Sequence, residues 1–437
     1  MLDKNEKRLV WIWVPLVLLP VFFIRMFQDE GLYLRTAYNF EEILPTRSPI
    51  VFLIAHIFAF ANYVLFVWFA RILSATFTLL SVLLLYRIVT SRYDQRAGLI
   101  SSLVFLLSFV TIRYGGRFDL EPYGLFFILA SIYLINRNPL ASALSAGTSF
   151  AARSTCLVYV PFYILHQLRH RKFTALISTI PVTATFLWIE YAKHIHQNLS
   201  PLEYNLGFLS LGSASIAKLL VQGWTEFAIA YPLAFFGFLH SLKSGKNRDV
   251  FILTLPMILA LSGIYGFLLN GAFERYTMIP LAMMCITAGK PVADFMEKRG
   301  LTLKHLVAFL AIHLAILNAG VVAISEIGAN SIHDFGFWYD IEVVNILNEN
   351  AQGEFVVGTP HAAFVNCTWK YAERRISEAI ATNPDWLVTF KAWVNVKPNN
   401  KLEVYEVGPY ILIHSHPRGY IDKFVEVREF GFNRLRR

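Results

Sequence analysis

Long apolar stretches separated by short charged loops recur from Leu9 to about Ile324. Hydropathy places spans at roughly 9–27, 64–86, 97–112, 120–136, 139–152, 154–168, 173–192, 219–240, 250–269, 276–289 and 305–325. Most approach the ~20 residues a helix needs to cross a bilayer core, so about eleven transmembrane helices are expected. The first follows Lys4, Lys7 and Arg8, as a signal peptide would. It has no small-residue cleavage site and is long enough to span, so it is expected to be retained. Pro49 to Ala61 is apolar but short, which suits a helix lying in the interface or re-entering better than one that crosses.

Beyond Ser325 the pattern changes. Alternating stretches predict strands at Glu354–Gly358, Trp386–Phe390, Leu402–Val407, Tyr410–His416 and Phe424–Phe430, with helices near Asp340–Asn350 and Trp369–Ala381. The expected fold is an α-helical polytopic membrane protein over residues 1–329, followed by a small soluble α/β domain over residues 330–437.

Composition agrees: 56% of the 437 residues are hydrophobic and 16% charged, more apolar surface than a soluble core hides. The formal charge of +9 resides in the membrane part, because Ser331–Arg437 is close to neutral. With the N-terminus inside, the inner loops hold Lys4, Lys7, Arg8, Arg87, Arg92, Arg96, Arg137, Arg169, Arg171 and Lys172. They also hold Lys243, Lys246, Arg248, Lys290, Lys298, Arg299 and Lys304. That bias predicts a cytoplasmic N-terminus and an extracytoplasmic C-terminal domain in the cell membrane, and it makes the charge a topology signal rather than a nucleic-acid footprint. The three cysteines, Cys156, Cys285 and Cys367, have no metal or disulfide spacing, and no glycine-rich phosphate loop is present. Asn198-Leu-Ser200 and Asn366-Cys-Thr368 match a glycosylation triplet that also arises by chance.

Ionisable groups near membrane depth are costly and usually have a partner or a task. Three places concentrate them on the expected outer side. The first is Gln28-Asp29-Glu30-Gly31-Leu32-Tyr33, with a loop ending Pro45-Thr46-Arg47-Ser48-Pro49. The second is Arg113-Tyr114-Gly115-Gly116-Arg117-Phe118-Asp119-Leu120-Glu121-Pro122. The third is Phe273-Glu274-Arg275-Tyr276, with Pro280 a turn later. Taken singly, Asp29, Glu30 and Asp119 also fit helix-end anchors, Arg113 and Arg71 fit snorkelling residues, and Arg117 fits an anchor or a ligand equally. Independent anchors need not share one layout.

The order of a first helix, Asp-Glu, a loop closing on a basic residue and Pro, an interfacial helix, and a second acidic pair before the fourth span resembles the GT-C glycosyltransferases. The protein-mannosyltransferase and aminoarabinose-lipid-A-transferase branch is the most similar. Arg47-Ser48-Pro49 stands where that group more often has His-Pro-Pro, and Arg153 stands where it often has Lys. The resemblance implies an inverting hexosyl- or pentosyltransferase that takes a sugar from a dolichyl or undecaprenyl phosphate donor. The acceptor would be a lipid, glycan or protein, with no cofactor and no divalent metal implied. It makes Glu30, Arg47 and Tyr276 substrate-binding candidates.

Chemistry assigns further roles. A carboxylate is needed to take the acceptor hydroxyl proton, and Asp29 is the candidate. Guanidinium groups stabilise the departing lipid phosphate, and Arg275, Arg153 and Arg117 are candidates. Asp119, Glu121, Tyr33 and Tyr123 are candidates for orienting the sugar. The rival reading is a multi-pass transporter or lipid flippase, whose charges would line a path near the midplane. Phe337-Trp338-Tyr339-Asp340 is similar to an oligosaccharyltransferase Trp-Trp-Asp-Tyr-Gly signature but also fits an interfacial aromatic belt. His414 and His416 share one face of a strand without a third ligand and are expected to be surface histidines.

Overall fold

The computed structural model describes residues 2–26, 28–40, 48–196, 224–225, 227–244, 275–324, 336–351, 353–358, 368–371 and 380–427. Its contacts divide the chain into two units, Met1–Val21 with Thr36–Asn318, and Phe22–Arg35 with Ala319–Arg437.

The first unit is helical. Helix α1 (Lys4–Trp13) starts at a reciprocal cap between Asp3 and Glu6. It runs on as a π turn, Val14–Leu18, and a 3-10 turn, Leu19–Phe22, so the single helix expected over 9–27 is interrupted. Pro15 and Pro20 each remove a backbone donor from the ladder, which is why the winding changes there. Helix α2 (Gln28–Tyr38) crosses the division between units. Then follow α3 (Pro49–His56), α4 (Tyr63–Arg92), α5 (Gln95–Leu106), α6 (Phe109–Tyr114), α7 (Glu121–Leu134) and α8 (Pro139–Ala152). Next are α9 (Tyr159–Arg169), α10 (Thr179–His196), α11 (Pro232–Ser244), α12 (Met278–Lys298) and α13 (Leu303–Ile324).

Among the described residues four helical stretches are long and apolar enough to cross a membrane: Tyr63–Arg92, Phe173–Ile195, Arg275–Lys298 and Leu303–Gly320. Gln95–Leu106, Glu121–Leu134 and Pro232–Leu242 are shorter and apolar. The protein is thus a helical membrane protein. The span expected at 250–269 lies outside the described residues, as do the first residues of the one at 219–240. The span expected at 97–112 is split, because Ser108 accepts the Thr111 N–H and starts α6 anew. Pro49 to Ala61 forms only the short α3 and the turns after it.

Helices α4, α5, α7 and α12 pack together, with α8 on α7 and α11 on α12. Serines satisfy themselves across these contacts: Ser101 Oγ donates to the Cys285 carbonyl at 2.8 Å, Ser241 to Thr287 at 2.6 Å and Ser142 to Ser131 at 2.8 Å. Such bonds between small-residue faces hold helices where apolar burial gives no net drive. Arg71 does not snorkel. It is fully buried, and its Nη1 donates at 2.9 Å to the Val21 carbonyl, left without a helical partner where the first helix ends.

In the second unit a helix α14 (Phe337–Asn350) covers a five-stranded sheet. Its strands are β1 (Phe355–Gly358), β2 (Thr368–Tyr371), β3 (Trp386–Phe390), β5 (Leu402–Val407) and β6 (Tyr410–Ser415), in the order β2-β1-β3-β6-β5. β1 runs parallel to β2 and β3, whereas β3–β6 and β6–β5 are antiparallel. β4 (Val394–Val396) pairs antiparallel with β7 (Val425–Val427).

Alternation assigns Val356, Trp386, Val388 and Leu412 to the face under α14, and Val357, Leu387, Ile411 and Ile413 to the other. The helix expected from Trp369 is instead strand β2 as far as Tyr371. Thr-Trp-Lys-Tyr is β-branched and aromatic, and pairs in register with Phe355–Gly358. The last expected strand is described only as far as Val427. His414 is not a bare surface histidine: it lies flat on Trp386, with ring centroids 4.4 Å apart, between Glu354 and Glu403.

Candidate active site

The first unit gathers five of the sequence candidates around the N-terminus of α7. Asp119 and Leu120 precede the helix, Glu121 is its first residue, and Pro122 follows where a missing N–H costs nothing. The positive end of the helix favours both carboxylates. Asp119 Oδ1 also accepts the Leu120 N–H at 2.8 Å.

Two arginines reach this pair from other elements. Arg153 ends α8 in an extended conformation, and its Nη2 is 2.8 Å from Glu121 Oε1. Arg275 opens the short 3-10 turn Arg275–Thr277 before α12, with Nε 3.5 Å from Asp119 Oδ2. Tyr276 lies against both guanidinium groups, its ring centroid 5.1 Å from the Arg153 Cζ and 4.9 Å from that of Arg275, and its hydroxyl accepts from Arg275 Nη2 at 3.0 Å. Thr277 is pinned by the Tyr231 hydroxyl at 3.0 Å, which fixes the turn. All four charged side chains are at most 6% exposed.

Burial away from water is the largest influence on the Asp119 carboxyl and lifts it well above the ordinary carboxylate range. Arg275 opposes the rise, and the neighbouring Glu121 carboxylate adds to it. Two guanidinium groups thus stand against two carboxyl groups at the start of α7, one of which holds its proton more tightly than an ordinary carboxyl.

Such a cluster is a poor stabiliser, since desolvating buried ion pairs cancels much of their attraction. Its cost is explained better by a charged ligand than by folding.

Other candidates fall differently. Arg117 is buried and turns back, Nε donating to the Arg113 carbonyl at 3.0 Å. Arg113 is buried too, its guanidinium over the rings of Phe109 and Tyr114, so aromatic faces hold the cation inside the protein. Tyr123 is a packing residue rather than a sugar contact. It is fully buried, its hydroxyl accepts from Ser74 at 3.2 Å, and its ring lies 4.5 Å from that of Phe77. Glu30 and Tyr33 are buried on α2 in the second unit. The backbone of Asp29 belongs to the same helix; its side chain lies outside the described atoms. Arg47 lies outside the described residues. No group of three metal-ligating side chains gathers among the described residues.

Gly124 was not singled out by the sequence, although an isolated glycine inside an apolar helix signals close approach. A Cβ there would stand 2.7 Å from Arg153 Cβ and 2.9 Å from Cys156 Sγ. The glycine is what lets the Arg153 backbone lie against α7. Gly124→Val is therefore expected to displace Arg153 from Glu121 and to destabilise the fold by about 1–3 kcal/mol, the usual cost of overpacking. Thermal unfolding in detergent checks the second effect. A structure of the variant checks the first, and an unshifted Arg153–Glu121 contact in it would dissociate Gly124 from the arginine.

By sequence the chain matches no family model and no curated protein. By structure it is similar to ArnT from Cupriavidus metallidurans bound to undecaprenyl phosphate, with a TM-score of 0.57 and 11% identity, covering 94% of this chain and 97% of that one. It is also similar to the Archaeoglobus fulgidus oligosaccharyltransferase complexed with zinc and sulfate, with a TM-score of 0.53 and 13% identity, covering 89% of this chain and 68% of that one. At such identities the likeness speaks for the fold. The chain thus shares the fold of ArnT and of the archaeal oligosaccharyltransferase.

Proposed function

We propose that the protein is a membrane glycosyltransferase that moves a sugar from a polyprenyl phosphate donor to a lipid, glycan or protein acceptor at the extracytoplasmic face. The observation that carries this reading is the buried group of Arg153, Arg275, Asp119 and Glu121 at the N-terminus of α7. In the reaction the acceptor hydroxyl oxygen attacks the anomeric carbon and the bond from that carbon to the phosphate oxygen breaks. The electron pair leaves with the polyprenyl phosphate, and the hydroxyl proton passes to the Asp29 carboxylate. Attack opposite the leaving group inverts the anomeric centre. Arg153 and Arg275 hold the phosphate as its charge grows, which serves the transition state more than the bound donor. Glu30, Tyr33, Arg47, Arg117 and Tyr276 are assigned to donor or acceptor binding, and no divalent metal is invoked.

The proposed topology has about eleven spans, a cytoplasmic N-terminus, and residues 330–437 as an extracytoplasmic domain. A flippase would translocate polyprenyl phosphate sugars with the glycosyl bond intact. Incubating the purified protein in vesicles with a panel of radiolabelled polyprenyl phosphate sugars separates the readings. Label transferred to an acceptor with release of polyprenyl phosphate supports the transferase, whereas label that only changes leaflet supports the flippase.

The raised Asp119 carboxyl gives this reading a pH signature. A phosphodiester donor keeps one negative charge throughout the neutral range, so its binding follows the charge of the protein. As pH rises and Asp119 loses its proton, the site gains negative charge and donor affinity is expected to fall. Asp119→Asn removes that titration and is expected to flatten the alkaline limb. An affinity profile with the same slope in both proteins would contradict a titrating Asp119 at the donor site.

A further inference from the structure

The short segment that precedes the Asp29 helix is fastened, within the second unit, by a buried node of the α/β domain. The Gly336 and Phe337 N–H groups both donate to the Phe23 carbonyl at 3.1 Å. Three residues on, the Met26 N–H donates to Asp340 Oδ2 at 2.6 Å, while the Tyr410 hydroxyl donates to the other oxygen, Oδ1, at 2.7 Å. The Asp340 side chain is fully buried. Arg25, between these anchor points, lays its guanidinium over the rings of Phe390 at 5.6 Å and Tyr410 at 5.3 Å. Gly336 leaves the room for it, because a Cβ there would stand 2.6 Å from Arg25 Nε.

A carboxylate buried at that depth is unfavourable unless its bonds compensate for the lost water. A packing contact alone is served more cheaply by apolar residues. What the carboxylate does specifically is fix one backbone N–H, that of Met26, two residues before α2 begins and three before Asp29. Both oxygens are committed to Met26 and Tyr410, so the Phe-Trp-Tyr-Asp run does not offer its carboxylate to an acceptor. A helix started from a fixed backbone atom places its first-turn side chains by its own geometry.

We propose that Asp340 is a positioning residue that sets the Asp29 and Glu30 carboxylates for catalysis by latching the start of α2 to the α/β domain. The proposal rests on the reading of Asp29 as the proton acceptor.

A misplacement near 1 Å is enough to cost about 100-fold in rate, so Asp340→Ala is expected to lower kcat by roughly 10- to 100-fold. The KM for donor should stay within about twofold, because the phosphate is held by Arg153 and Arg275. Asp340→Asn keeps an acceptor oxygen for Met26 and an amide for the Tyr410 oxygen, and is expected to restore most of the rate. In the Asp29→Asn background Asp340→Ala should cost almost nothing more, since the group it positions is already gone.

Hydrogen exchange over residues 26–38 provides the readout independent of chemistry. Asp340→Ala should speed exchange there, and Asp340→Asn should not. Full additivity of the two substitutions, or unchanged exchange over 26–38 in a folded Asp340→Ala protein, overturns the positioning role. If Asp29→Asn alone keeps the wild-type rate, the base assignment fails by itself, and the exchange experiment still decides whether the latch exists.

Discussion

Asp29→Asn is expected to lower the rate of sugar transfer by about 100- to 10,000-fold, the range lost with a general base, while changing donor affinity little. The amide keeps the size of the side chain and one acceptor oxygen but takes no proton at neutral pH. Glu30 is one residue on and points elsewhere on the regular backbone of α2. Glu30→Gln should therefore be the milder change. Single-turnover rates with pre-bound donor, measured on both purified variants, separate chemistry from binding. If Asp29→Asn turns over normally while Glu30→Gln is dead, the base is the neighbour; if both are active, the acidic pair anchors the helix and has no catalytic part.

The second large effect is expected at the two arginines. Arg275→Ala and Arg153→Ala should each weaken donor binding by about 1.5–3 kcal/mol, the worth of a charge-assisted hydrogen bond. Arg153→Ala also strands Glu121 in a buried site, a loss of roughly 3–5 kcal/mol of stability when one partner of a buried pair is removed. Arg153→Lys keeps the charge and is the variant to compare for binding alone. It should recover only part of the affinity, because an ammonium cannot reproduce the planar fork. Isothermal titration with polyprenyl phosphate reads both. Wild-type affinity in Arg275→Ala and Arg153→Lys together would remove the pair from donor binding.

How much of this was legible in the sequence depends on the kind of signal. The apolar stretches and the alternating strands at Trp386–Phe390 and Leu402–Val407 stand out because their periods are long or regular, and the structure places those strands at the expected residues. The split between α5 and α6 hides inside an apolar run, since a single capping serine barely changes hydropathy. β2 was missed because four residues pairing with a distant strand leave no local period.

At the site, Asp119, Glu121, Arg153 and Arg275 were visible as charges in apolar surroundings, yet their pairing joins positions far apart in the chain. Arg71 and Arg113 were equally visible and misassigned. Hydropathy reports that a charge is near membrane depth, and not whether a carbonyl or an aromatic ring inside the bundle takes it. Asp340 was passed over for a related reason. It sits in an aromatic run that fits an interfacial belt, and only the folded chain shows its oxygens on Met26 and Tyr410.

The identity of the sugar bears little on the central claim, which is that the Arg153 and Arg275 group receives the phosphate of a lipid-linked donor. The most direct measurement is an experimental structure of the protein in lipid nanodiscs with polyprenyl phosphate. The account predicts phosphate density within hydrogen-bond distance of the guanidinium groups of Arg153 and Arg275, beside Tyr276. Phosphate density elsewhere, with Arg153 still on Glu121 and Arg275 still on Asp119 in a saturated sample, would contradict it.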